Sequence, residues 1–190
     1  EPTSAPFRSI TSNHHHHPAR LDPANTNQLW ITATPVQHWA SRTMLDRNYR
    51  LWAGFCVFLD QQQTFFFAGD TAFPQEFPLF EQVADYIASA KMNISPNIAN
   101  SNAGDNDDDN DDENKTIVDL AALPIGAYKP RFLNHTSHME PKDALRVHQI
   151  LQCRQSVAIH HGTFSLSEEP PDEPPRLLRE AILEASARGE

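Results

Sequence analysis

Three apolar runs in this 190-residue chain each end in a side chain that can bind a metal. They are Pro35-Val36-Gln37-His38-Trp39, Phe65-Phe66-Phe67-Ala68-Gly69-Asp70-Thr71 and Ala158-Ile159-His160-His161-Gly162-Thr163-Phe164. Each reads as a strand that delivers an imidazole or a carboxylate just past its end, where layered α/β proteins assemble their sites. Two His and one Asp from separate strands suit a zinc-type ion, which takes nitrogen and carboxylate oxygen at roughly 2.0–2.2 Å. Taken singly, each has a plainer reading: a surface or core histidine, or a Gly-Asp turn.

The rest of the chain reads as alternating elements between loops. Leu29–Thr34 alternates and predicts a strand leading to His38. Leu51–Leu59 and Thr64–Ala68 predict an antiparallel pair turning at 60–63, and the consecutive Phe65–Phe67 suggest a strand covered on both faces. Phe80, Val83, Ala84 and Ile87 share a helical stripe over 80–90. Ile117–Pro124 predicts a buried strand, Pro141 opens a helix to about Gln152, and Ser156–Ile159 a further strand. Leu177, Leu178, Ala181, Ile182 and Ala185 mark a last amphipathic helix after the Pro-rich 170–175.

Residues 1–28, with His14–His17, read as a low-complexity lead-in. Residues 91–115 read as an acidic disordered insertion, because seven of the nine positions Asp105–Glu113 are acids that repel one another. They account for most of the formal net charge of −10. The Asp105, Asp107, Asp109 alternation lacks the turn glycine and final Glu of a calcium loop. No basic stripe points to nucleic acid. Cys56 and Cys153 sit in apolar or helical stretches without a C-x-x-C, which favours reduced core thiols and an intracellular setting. The longest apolar run, Leu51–Leu59, is too short to span a bilayer.

Together with Asp119-Leu120-Ala121-Ala122-Leu123-Pro124-Ile125-Gly126-Ala127-Tyr128, the three motifs make the stretch from about Leu29 to Leu183 resemble the C-terminal half of the metallo-β-lactamase superfamily. More narrowly, it is similar to the N-acyl-phosphatidylethanolamine-hydrolysing phospholipase D family. The resemblance implies the C-terminal half of a four-layer αββα sandwich, residues 29–190 forming a partial domain. It implies two zinc ions, with His38 on the first, His160 on the second and Asp70 bridging both. No catalytic residue is implied beyond the metal-bound water. Arg131 and His138 are the implied substrate contacts, although Arg131 reads equally as the partner of a structural carboxylate, and His138 as an exposed loop imidazole. Lys129 and Phe132 stand where the family has an acid and a Trp, and the added positive charge suggests a different head-group preference. His161 replaces a bulky aromatic and is given no metal role.

The implied activity is hydrolysis of a phospholipid phosphodiester, with peripheral contact to a membrane and a homodimer left open. A lactonase of the same fold is the alternative enzyme. The superfamily's upstream H-x-H-x-D-H motif does not occur in these residues, so the chain reads as the second half of a longer enzyme. By itself it is expected to bind zinc weakly and turn over nothing, as a non-catalytic remnant or interaction module would.

Overall fold

A computed structural model describes residues 29–59, 63–94 and 116–189. The lead-in, the turn at 60–62 and the acidic run lie outside the described residues. Five strands form one mixed sheet in sequence order: β1 (Leu29–Thr34), β2 (Gly54–Leu59), β3 (Gln63–Phe67), β4 (Val118–Pro124) and β5 (Cys153–Ile159). β1, β2 and β3 pair antiparallel, whereas β3, β4 and β5 run parallel. The helices are α1 (Leu79–Ile94), α2 (Arg131–Asn134), α3 (Pro141–Ile150) and α4 (Glu173–Arg188). The parallel strands need crossovers, which α1 and α3 supply.

The core lies between one sheet face and the helices. Cys56, Phe58, Phe66, Ala121 and Leu123 from the strands meet Phe80, Val83 and Ile87 of α1 and Ala144 and Val147 of α3. The periodic stripes therefore bury where expected. α1 runs on to Ile94, past the start expected for the acidic loop. At the head of α3, Pro141 takes the first turn and Glu140 and Asp143 cap it reciprocally. Pro174 and Pro175 lie in the first turn of α4, where a missing N–H costs nothing, so the Pro-rich stretch overlaps the helix rather than preceding it. Both cysteines are buried and free.

The opposite sheet face is open. Register puts Leu29, Ile31, Phe55, Leu59, Phe67, Leu120 and Val157 on it, each 36–62% exposed. Phe66 is fully buried and Phe67 is not, so β3 is covered on one face only, a correction to the expectation from its consecutive aromatics. One sheet with helices on one side and a bare apolar face on the other is half of an αββα sandwich.

Candidate metal centre

Every residue of the site sits where a strand or its following loop leaves the β1–β5 sheet at one end. His38 follows β1, Asp70 follows β3, and His160 is the first residue past β5. The loop before α3 adds His138. The His38 and His138 rings meet edge-on with centroids 5.2 Å apart, and His138 stacks on His160 at 5.3 Å. His160 Nε2 lies 3.0 Å from Asp70 Oδ1. Four of the five residues singled out from sequence are thus brought together, with His138 between the imidazoles of His38 and His160.

Backbone contacts explain the precision. Gln37 and Ala72 form an isolated antiparallel bridge, with Ala72 N–H donating to the Gln37 carbonyl at 2.8 Å. Thr71 fastens three loops: its hydroxyl accepts from Gln37 N–H at 2.9 Å, and its carbonyl accepts from Met139 N–H at 2.9 Å. His160 holds a left-handed backbone, φ 60°, an unfavourable conformation for a residue with a Cβ and one that concentrates at functional sites. Against it packs Gly126, where a Cβ would lie 2.1 Å from the His160 carbonyl oxygen. Only glycine fits.

The electrostatics sort the four groups. The hydrogen bond from His160 holds the Asp70 carboxyl below its ordinary range, and the same bond raises the His160 imidazole. Burial, aided by the neighbouring imidazoles, pushes His138 down to about 4, so it stays neutral at physiological pH. His38 Nδ1 lies 2.7 Å from the Trp39 carbonyl oxygen; it must be the protonated nitrogen, because a carbonyl only accepts. That leaves His38 Nε2 with a free lone pair, the tautomer a metal-binding imidazole needs. His38 Nε2 and His138 Nδ1 are buried without a hydrogen-bond partner, which is costly unless an ion, a water or a ligand satisfies them.

The donor chemistry fits a divalent metal, but the set is partial. Among the described residues no three His, Cys, Asp or Glu side chains converge on one point. Asp70 and His160 are in direct contact, and the His138 ring links them to His38.

Arg131 is engaged elsewhere. Its guanidinium donates to Asp143 Oδ2 at 3.0 Å and to the His138 carbonyl at 2.8 Å; of the two partners read from sequence, the structure shows the structural carboxylate. Lys129 is paired with Glu173 at 2.7 Å, so its charge is answered within the fold. His161 lines a crevice with His160, Gly162 and Phe164. Thr71 and Glu169, whose carboxylate accepts from Ala127 and Lys129 N–H groups, were missed by sequence reasoning. Each acts on backbone far away in sequence, and the one local hint was Thr71 beside Asp70.

The family model described as "Beta-lactamase superfamily domain" matches residues 3–95. N-acyl-phosphatidylethanolamine-hydrolyzing phospholipase D 1 of Caenorhabditis elegans is 30% identical over 142 residues, 75% of this chain and 31% of that protein. The chain is similar to the β-lactamase superfamily over these residues. A second phospholipase D relative, the mitochondrial one of Saccharomyces cerevisiae, is 28% identical over 150 residues, covering 78% of this chain and 26% of that protein. The chain thus spans about a third or less of the length of these curated relatives. Among solved structures, a metallo hydrolase of the archaeon Ignicoccus hospitalis superposes with a TM-score of 0.46 at 20% identity, covering 82% of this chain and 47% of its own.

Proposed function

We propose that this chain carries one half of the metal site of a phospholipid phosphodiesterase that splits N-acyl-phosphatidylethanolamine into an N-acylethanolamine and phosphatidic acid. The observation that carries the reading is the convergence of His38, Asp70, His138 and His160 at one end of the sheet. The named phospholipase D relatives supply the substrate class.

His38 and His160 are the nitrogen donors of this reading, and Asp70, with two carboxylate oxygens, the group able to serve two ions. When bound, a zinc pair supplies a nucleophilic hydroxide at neutral pH and neutralises charge on the phosphoryl oxygens. The Trp39 carbonyl fixes the His38 tautomer. His138, neutral and wedged between the two imidazoles, offers one N–H to a phosphoryl oxygen or to the departing alkoxide. Hydrolysis consumes one water: its oxygen bonds to phosphorus, the bond from phosphorus to the ethanolamine oxygen breaks, and a proton goes to that oxygen.

The test is hydrolysis by the full-length protein in heavy-oxygen water. Label in phosphatidic acid, none in N-acylethanolamine, and loss of turnover in Asp70→Asn are the expected results. The loss should exceed the roughly 10–100-fold typical of residues outside the ligand shell. Turnover of a lactone and not of the phospholipid would overturn the substrate. A non-catalytic module is the second reading, favoured by the absence of a three-donor cluster among the described residues; it predicts no turnover of either.

A further inference from the structure

Residues 39–52 form a loop that leaves His38 and returns to β2, and its shape is held from within. Asp46 Oδ1 accepts from the backbone N–H groups of Arg42 at 2.8 Å and Thr43 at 2.6 Å, and from the Ser41 hydroxyl at 3.2 Å. Asn48 N–H closes the loop on the Ala40 carbonyl at 2.6 Å. This brace projects two kinds of side chain. Met44, Leu45, Tyr49 and Leu51 are 87–100% exposed. Arg42, Arg47 and Arg50 are exposed beside them, and none forms an ion pair among the described residues. Arg47 lies over the Trp39 ring, 5.3 Å from its centroid. A pocket of about 330 Å³ is lined by His38, Arg42, Arg50 and Leu51.

We propose that this loop docks the protein on an anionic lipid bilayer. Apolar side chains that protrude singly have no walls of their own and gain little from a flat protein partner, whereas a membrane interface moulds around them. Three arginines against one internally bonded aspartate make the loop locally positive in a chain of net charge −10. An anionic surface therefore attracts this loop and repels the chain's acidic remainder. Docked this way, the loop inserts Met44 and Leu45, rests its guanidiniums on head-group phosphates, and turns toward the lipid the pocket that His38 helps to line. The proposal extends the phospholipid reading above, but binding requires no turnover.

Co-sedimentation of the full-length protein with phosphatidylcholine vesicles, with and without phosphatidylserine, tests it. The expected result is partition onto the anionic vesicles alone, weakening as salt rises. Each of Arg42→Ser, Arg47→Ser and Arg50→Ser should lower partition about fivefold, the worth of one cation near such a surface. Leu45→Glu should abolish it. Protein that stays in solution with both vesicles, as it would if the loop docked a protein, overturns the proposal; so does equal binding to both, or selective binding that the Arg substitutions leave unchanged. Hydrolysis of substrate dispersed in neutral detergent reads the catalytic centre separately. Turnover there without vesicle binding overturns the docking surface alone; vesicle binding without turnover overturns the catalytic reading alone.

Discussion

Thr71 has no chemistry to perform, yet three loops of the candidate centre hang on it. Its hydroxyl accepts the Gln37 N–H and lies 2.9 Å from the Ala72 carbonyl, all without solvent. Thr71→Val keeps the shape and strands a buried donor, so urea unfolding should show a loss of about 1–3 kcal/mol. Thr71→Ser, which retains the hydroxyl, should recover most of it. Gly126 is the second such residue. Gly126→Ala drives a methyl into the His160 carbonyl, and two backbones cannot part without moving the imidazole. A stability loss of about 1–3 kcal/mol in thermal melts is expected, together with weaker zinc binding by calorimetry. Wild-type affinity in that variant would separate His160 from the metal. Of these residues, His38, Asp70 and His160 were legible in the sequence because their types carry chemistry. Thr71 and Gly126 were not, since their importance depends on what lies across space.

At the scale of elements, α4 is tied to the loop after β4 by side chains rather than by a large apolar seam. Glu173, in the first turn of α4, accepts from the Tyr128 hydroxyl at 2.6 Å and from Lys129 at 2.9 Å. The Lys129 bond first, then Tyr128, holds its carboxyl below the usual value. A carboxyl depressed in the folded state stabilises above its unfolded pKa, near 4.3, and that contribution disappears as pH falls through the folded value. The wild-type melting temperature should therefore drop more steeply below about pH 4.3 than that of Glu173→Gln. Parallel acid limbs would show that the tie is inert. The stripes of α1 and α3 were readable because a 3.6-residue period survives in sequence. The short α2 was not, having no buried residue to mark a period.

At the scale of the whole molecule, the open sheet face dominates. Apolar patches this continuous mark a surface meant to be covered. The 190-residue chain by itself should bind a hydrophobic dye and self-associate in sedimentation velocity. Ile31→Lys with Val57→Glu, opposed across β1 and β2, should shift it toward monomer with little effect on helical content. A dye-silent monomeric wild type would mean that something else in the chain already covers the face. Among the described residues no helix is long and apolar enough to cross a membrane.

By itself the sequence determined the order of the strands and of the three long helices, the apolar stripes of those helices, and the three motif residues that end up at one edge of the sheet. These are local properties: period, turn chemistry and donor type are written within a few residues of one another. Tertiary structure alone decided that His138 stands between His38 and His160, that Arg131 serves Asp143, that Lys129 is answered by Glu173, and that Phe67 faces outward. Each depends on partners well apart along the chain, or on which face of a strand another element covers. A side chain's sequence gives its chemistry; only packing chooses its neighbours.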